Sequence, residues 1–404
     1  MRPSDDGSEL LTGPGAGPLL RAAIEHAGGR LLTWALEHVD SNPNQSTTAT
    51  YLARVAWPHG ERTELLGVSA RRGKLSKSDR GAEVFADGNR EVAVWIYPND
   101  PDLPGLARVA YPQRLADLVN AARLFHEPVT GQDLELNIVG YRPRRRAVVR
   151  FAAKGTTYYV KAIRGKQFED TLARHRLLEA AGVPSPRVAF TTRDNLMFLE
   201  ALPGRPLAKA IFDPVDPCTA EELVEVLDSM PRSVTRLDRR PPWSDAVEHY
   251  SEVVAAALPE VRDDLDRVTR RIQSGLAGVP PGHEPTHGDF HEGQVHVDGG
   301  RVVGILDIDT IGPGSRADDL ACLIAHLSTI QRMNREQEAR VRDLLARWVP
   351  VFDRRVDPVE LRLRAAAVVI SLATGPFRGQ EPFWQETTRR MVRSAIALVN
   401  QVSS

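Results

Sequence analysis

The residues best equipped for chemistry lie in one stretch, Thr286 to Asp309, which reads THGDFHEGQVHVDGGRVVGILDID. It gathers His287, Asp289, His291, Gln294, Asp307 and Asp309 within a short strand-turn-strand pattern. Such a set suits phosphoryl transfer, which needs a carboxylate to orient or deprotonate an acceptor hydroxyl, oxygen ligands for Mg2+ and a cation on the nucleotide phosphates. Asp289 is the candidate carboxylate. Gln294 follows it by five residues, the interval between base and metal-binding amide in catalytic loops of this chemistry. The run beyond Gln294 reads as a hairpin turning at Asp298-Gly299-Gly300, and its return brings Asp307 back beside Asp289 and Gln294. A rival reading takes His287, Asp289 and His291 as transition-metal ligands alternating on one strand face. That reading lacks a third strong ligand at suitable spacing and leaves the Asp307 hairpin without a purpose.

Other elements must position this stretch. The segments RLLTWALEHVD, STTATYLARVAW, TELLGVSAR and EVAVWIYP carry strand patterns, and YPQRLADLVNAARLFH has helical spacing, so residues up to about 130 read as a mixed α/β module. A second β pattern starts at Leu134: strands over about 146–152 and 156–163 are joined through Lys154-Gly155, a tight hairpin signal. The helix QFEDTLARHRLLEAAG then stops at Gly182, with VPSP beyond it. NLMFLEALPG gives one more strand. From Thr219 the chain is mainly helical, with a Thr219/Glu222 capping box and an Asp357-Pro358 helix start. A β-rich half followed by a helix-rich half, with the motif inserted as a short β element, is an α+β, bilobal plan.

HGDFHEGQ followed by GILDIDTIGPGSRADDLA resembles the aminoglycoside phosphotransferase and choline kinase-like family, whose pattern is His-Gly-Asp-x-His-x-x-Asn, a later Asp-x-Asp and a distal Asp-Leu-Ala. The resemblance implies a protein kinase-like fold, ATP and Mg2+ as cofactors, and a role for each matching residue. Asp289 would be the catalytic base and His287 would hold the loop's shape. Gln294 and Asp307 would bind magnesium, with Asp309 helping or binding weakly, and Asp319 would brace the loop. Upstream, AVVRFAAKGTTYYVKAIR resembles the phosphate-covering hairpin and nucleotide-lysine strand, which makes Lys161 the cation on the phosphates, Glu169 its acidic partner and Glu200, Ala201 and Leu202 the hinge facing the adenine edge. The resemblance spans about residues 134–402. Gln294 departs from the family's asparagine by one methylene while keeping the amide oxygen, and maltokinases resemble this chain in that glutamine and in an extension ahead of the kinase lobes.

These readings divide the chain into a flexible tail (1–17), an N-terminal cap-like module (18–130), a kinase-like N-lobe (131–203) and a helical C-lobe (204–404). The arginines of YRPRRR, Arg142 to Arg146, read as a solvated turn, with phosphate contact as the alternative. His291 and His296 read as structural or solvated. Trp384 and Glu386 are candidates for an acceptor pocket.

Composition narrows the partners. The 404 residues carry a net charge of −1, which gives no general electrostatic footprint for nucleic acid or an anionic membrane. No apolar run approaches the ~20 residues that cross a bilayer. Two distant cysteines, Cys218 and Cys322, in no redox or metal spacing, point to a reducing cytoplasm. The expected function is ATP-dependent phosphorylation of a hydroxyl on a small polar acceptor: a sugar, an amino sugar or an aminoglycoside. The alternative is a pseudokinase in which Gln294 weakens metal binding and the chain senses nucleotide or binds protein. Neither the acceptor nor the oligomeric state is legible.

Overall fold

The computed structural model describes residues 6–42, 45–72, 81–87 and 90–402. They form two compact units: the described parts of Met1–Asp170, Val188–Ala201 and Arg378–Gln380 make the first, and those of Thr171–Arg187, Leu202–Phe377 and Glu381–Ser404 the second.

The first unit is built on two five-stranded antiparallel sheets. One comprises β1 (Arg30–Asn42), β2 (Ser46–Trp57), β3 (Gly60–Arg72), β4 (Glu83–Asp87) and β5 (Arg90–Ile96) in the order β1-β2-β3-β5-β4. Helices α1 (Ser8–Thr12) and α2 (Ala16–His26) belong to it, with Leu11, Leu20 and Ile24 buried against Tyr51, Val55, Leu66 and Val94. The tail expected over 1–17 is therefore shorter: Met1 to Asp5 lie outside the described residues, but Leu11 is wholly buried. Gly and Pro in this stretch serve short helices rather than a loose chain. The expected α/β module is a purely antiparallel sheet with helices on it, and it includes β4, which the strand patterns in the sequence do not mark.

The second sheet comprises β6 (Glu135–Arg142), β7 (Arg146–Ala153), β8 (Thr156–Ile163), β9 (Val188–Thr191) and β10 (Leu196–Glu200), ordered β6-β7-β8-β10-β9. Its Lys154-Gly155 turn has both residues at positive φ, 50° and 75°, as a tight hairpin requires. Helices α3 (Leu106–Val109) and α4 (Pro112–Ala121) pack Leu106, Leu115 and Val119 with Val149, Phe151 and Phe198 in its core. Both sheets belong to one unit, so the boundary expected at residue 130 separates no compact bodies. The turn between β6 and β7 joins them. Arg144 is buried rather than solvated: its backbone N–H donates to Asp100 at 2.8 Å, its Nε to Ser69 at 2.8 Å, and its guanidinium lies 5.0 Å from the Trp95 ring. Tyr141 donates to Asp100 at 2.8 Å and accepts from the Trp95 indole at 2.6 Å.

Helix α5 (Gly165–Ala180) contributes to both units and ends near Gly182, whose φ of +72° favours glycine. The second unit is mainly helical: α6 (Leu207–Ala210), α7 (Ala220–Asp228), α8 (Val247–Ala257), α9 (Arg262–Leu276), α10 (Arg316–Thr329), α11 (Arg335–Arg355), α12 (Pro358–Leu372), α13 (Gly375–Arg378) and α14 (Trp384–Asn400). The caps read from sequence are made. Thr219 accepts from the Glu222 N–H at 3.2 Å while Glu222 accepts from the Thr219 N–H at 3.1 Å, and Asp357 caps α12 through the Glu360 N–H at 2.8 Å. Helix α9, whose charged sequence hid it, buries Leu265, Val268, Thr269 and Ile272 at helical spacing. Helices α10 and α12 are apolar around most of their circumference because both run through the core.

Among these helices lie short strands: β11 (Arg205–Pro206), β12 (Glu284–Thr286), β13 (Val295–Asp298), β14 (Arg301–Ile305) and β15 (Gly312–Gly314). β13 and β14 form the expected hairpin, with Gly299 and Gly300 at φ 55° and 80°. β12 pairs with β15.

Candidate active site

The loop between β12 and β13 carries His287, Asp289 and Gln294, and three anchors fix its shape. Phe290 is fully buried in the core with Val295, Ile305, Ile308 and Leu320. His287, also fully buried, bonds from its Nε2 to the Leu306 carbonyl at 2.8 Å, while its Nδ1 accepts from the Asp289 N–H at 3.3 Å. The Asp319 carboxylate, in the first turn of α10, accepts from the His287 N–H at 3.0 Å and the Gly288 N–H at 2.8 Å. Gly288 sits at φ +81°, and a Cβ there would stand 2.8 Å from the Thr310 carbonyl oxygen, so the backbone itself demands glycine between His287 and Asp289.

Arg316 was not anticipated. Buried to 1% exposure, it pairs with Asp319 at 2.7 Å and donates to the Leu227 and Pro285 carbonyls at 3.0 and 2.9 Å and to Asp228 at 3.2 Å. The buried charge of Asp319 is thus compensated while its oxygens hold the loop.

The hairpin returns the chain as expected. Val295 pairs with Ile305, and the Leu306 N–H donates to the Gln294 carbonyl at 2.7 Å, which sets Gln294 beside the residue preceding Asp307. Asp307 itself adopts the left-handed conformation (φ 50°, ψ 47°) and opens a single 3-10 turn, Ile308–Thr310, that contains Asp309. A non-glycine residue at this φ is uncommon and clusters at functional positions. The negative charges of Asp289 and Asp307 both act on the His291 imidazole, opposing the burial that lowers its pKa. Asp289 is half-buried, with the Cys322 thiol 3.9 Å from its Oδ1.

The rival metal reading fails on His287, whose two nitrogens are engaged by Leu306 and the Asp289 N–H. The donors that converge are different ones: Asp289, Cys322 and His326 in one group, His291, Glu292 and His326 in another. The His291 and His326 rings stack at 4.1 Å and 6°, and each Nδ1 lies 3.8 Å from the Glu292 Oε2. Burial, with the charge of Asp289, raises the Glu292 carboxyl to about 7, and burial, with His291, lowers His326 to about 3. His296 is half-buried and bonds to the Pro203 carbonyl at 3.0 Å.

Residues 137–356, more than half of the chain, match the Phosphotransferase enzyme family. The chain belongs to that family. Solved structures similar to it include a thermostable mutant of aminoglycoside phosphotransferase APH(4)-Ia in apo form, at 15% identity and a TM-score of 0.47 over 67% of this chain and 95% of that one. Choline kinase LicA from Streptococcus pneumoniae follows at 12% identity and 0.47, over 71% and 98%. An aminoglycoside-3'-phosphotransferase of type VIII has 19% identity and 0.41, over 65% and 99%. Among curated proteins, one from Deinococcus radiodurans is 37% identical over 66 residues, 16% of this chain; the match spans about a fifth of that protein, 19%.

The remaining residues expected from the phosphotransferase pattern lie as follows. Lys161 is buried in β8, opposite Met197 of β10. Glu169 is not its partner: α5 turns Phe168, Thr171 and Leu172 inward, which leaves Glu169 exposed and without an ion pair among the described residues. Glu200 ends β10 opposite Tyr158, and the Ala201 N–H donates to the Thr157 carbonyl at 3.3 Å. Leu202 fills the space over Gly304, where a Cβ would come within 2.6 Å of it. Trp384 is half-buried against Phe377, ring centroids 5.1 Å apart, and Glu386 is exposed and paired with Arg389 and Arg393.

The donors offered by Gln294, Asp307 and Asp309 are an amide and two carboxylates, hard oxygen ligands of the kind Mg2+ takes. Gln294 and Asp307 come to the same end of the β13–β14 hairpin, where the Leu306 N–H donates to the Gln294 carbonyl.

Proposed function

We propose that this phosphotransferase moves the γ-phosphoryl group of ATP to a hydroxyl of a small polar acceptor: a sugar, an amino sugar or an aminoglycoside. The observation that carries the reading is the braced loop, in which Asp319 holds the His287 and Gly288 N–H groups and His287 the Asp289 N–H, while the Asp289 carboxylate stays half-exposed. Asp289 accepts the acceptor's proton as the new O–P bond forms and the bond to the β-phosphate oxygen of the departing ADP breaks. Gln294 and Asp307, helped by Asp309, would hold magnesium, which would supply neutralising charge for the phosphates. Lys161 holds the α- and β-phosphates, and the backbone around Glu200, Ala201 and Leu202 meets the adenine edge.

The test is ADP release from Mg-ATP across a panel of sugars, amino sugars and aminoglycosides, with wild type and Asp289→Asn. A positive acceptor whose turnover falls at least about 10²-fold in the variant, with nucleotide binding kept, supports the assignment. No turnover with any acceptor, alongside a nucleotide-dependent rise in melting temperature, replaces it with a nucleotide-sensing role.

A further inference from the structure

We propose that Arg142 and Arg146, the pair that closes the β6–β7 turn, clamp the terminal phosphate of the nucleoside triphosphate. The proposal rests on the proposed roles of Lys161, on the α- and β-phosphates, and of the end of β10 as the hinge at the adenine edge. Strand register gives the scale between them. Tyr159 lies opposite Leu199, Lys161 opposite Met197 and Val148, and Ile163 opposite Arg146, which in turn faces Arg142. Residues directly opposite in an antiparallel pair share a face, and so do residues two apart on one strand. Leu199, Lys161, Arg146 and Arg142 therefore stand on one face of the second sheet, in that order away from the hinge, each two-residue step along a strand being about 7 Å. With adenine at the Glu200 end and the first two phosphates at Lys161, the third falls at the arginines. All these residues belong to the first unit.

The turn is built to present that pair. Its central residues are Pro143 and Arg144: the Arg145 N–H donates to the Arg142 carbonyl at 3.0 Å, and Arg144 sits at φ 60°. Proline first and positive φ second is the type II pattern, in which the second place ordinarily falls to glycine. An arginine there is strained. The strain is held by the buried contacts of Arg144 with Asp100, Ser69 and Trp95, so one arginine anchors the turn while Arg142 and Arg145 stay exposed and Arg146 half-buried. Backbone outliers fixed in this way cluster at ligand clamps.

The charges around the turn point to an anion. Arg142 and Arg146 are like charges directly opposite each other, an arrangement that destabilises a strand pair. Partial burial, then the charges of Arg146 and Arg378, lowers the pKa of the Arg142 guanidinium, with Asp40 as the carboxylate opposing them. Asp40 is already engaged: one oxygen pairs with Arg145 at 3.1 Å and the other with Arg378 at 3.0 Å. Arg378 in turn has its Nε buried without a hydrogen-bond partner among the described residues. Arg142, Arg145 and Arg378 thus gather round one carboxylate, and the acceptor such a set lacks is a phosphate, which the guanidinium fork takes through two parallel hydrogen bonds.

The experiment measures binding of adenylyl imidodiphosphate, a triphosphate that resists hydrolysis, and of ADP, each with Mg2+, to the full chain by isothermal titration calorimetry. Arg142→Ala and Arg146→Ala each weaken the triphosphate about 10-fold or more, the effect of losing a charged hydrogen bond, and weaken ADP by less than about 3-fold. Arg146→Lys, which keeps the charge but not the planar fork, recovers part of the triphosphate affinity and tests the site without removing its charge. Lys161→Ala weakens both nucleotides. Equal losses of ADP and the triphosphate in the arginine variants overturn the terminal-phosphate clamp. So does unchanged affinity in those variants while Lys161→Ala weakens both, an outcome that leaves the lysine assignment standing. Unchanged affinity in Lys161→Ala, or a wild type that binds neither nucleotide, removes the phosphate reading and the arginine clamp with it.

Discussion

At the scale of single residues, the most exposed consequence of this site is its dependence on Asp319. The carboxylate is 1% exposed and serves two loop N–H groups and Arg316. Asp319→Asn keeps the shape but removes the charge opposite a buried guanidinium, so we predict a loss of about 3 kcal/mol by denaturant unfolding, since breaking a buried pair strands the other charge. A loss below about 1 kcal/mol would show that Asp228 alone compensates Arg316. Gly288→Ala tests the loop backbone: strain at φ +81° and the clash with the Thr310 carbonyl should cost about 2 kcal/mol and lower turnover more than it raises the acceptor KM. Normal turnover with unchanged stability would deny that glycine is required. Residues of this kind were unevenly legible. The Asp289–Gln294 interval and the Asp298-Gly299-Gly300 turn could be read because each is encoded by local spacing, while Asp319 was reached only through the family resemblance, its bonds to the loop spanning some thirty residues. Arg316, Glu292 and His326 could not, because their meaning arises when α10 docks against the loop from some thirty residues away in sequence, as in the His287 N–H to Asp319 bond.

At the scale of elements, the β6–β7 turn illustrates what composition misleads about. YRPRRR has the look of a solvated turn, and an arginine-rich turn is solvated unless something offers it acceptors. Here Asp100, on the connector after β5, accepts from the Tyr141 hydroxyl, the Arg144 N–H and the Asp102 N–H, at 2.8, 2.8 and 2.9 Å. Burial raises the Asp100 carboxyl, against the three hydrogen bonds and the charge of Arg144. We predict that Asp100→Ala, which leaves these donors without their acceptor, destabilises the first unit by about 3 kcal/mol and speeds amide exchange in residues 140–146 more than in the β7–β8 turn. Uniform exchange across both turns would mean that the hairpin is held by its own strands alone. The strands on either side were legible from alternation, and the helix caps at Thr219 and Asp357 from their residue pairs. Helix α9 was not, since only four apolar-face residues are buried in a charged sequence, and the inward face of α5, which leaves Glu169 exposed, was not resolved by periodicity.

At the scale of the whole molecule, two shifted groups, one in the β12–β13 loop and one on α10, set opposing responses of stability to pH. His326 is held neutral, its pKa lowered to about 3 mainly by burial and then by His291, against 6.5 when unfolded. Below about 6.5 the unfolded chain takes up the proton that the folded one refuses, so this group removes stability as the pH falls. Glu292 has its pKa raised to about 7, mainly by burial and also by the charge of Asp289, against 4.5 when unfolded. The folded chain then holds the extra proton between about 4.5 and 7, so this group adds stability as the pH falls through the same window. Between about pH 7 and 5 each contribution is about 2 kcal/mol, and they nearly cancel. Relative to wild type, Glu292→Gln should therefore lose stability on acidification from about pH 7 to 5, whereas His326→Asn should gain it. Thermal unfolding of the three proteins across that window reads the difference directly, and slopes of the same sign in both variants would break the pairing. Because the two rings and the carboxylate meet through Nδ1 atoms 3.8 Å from one oxygen, the double variant should not equal the sum of the singles, and the departure measures how strongly the loop and α10 are coupled.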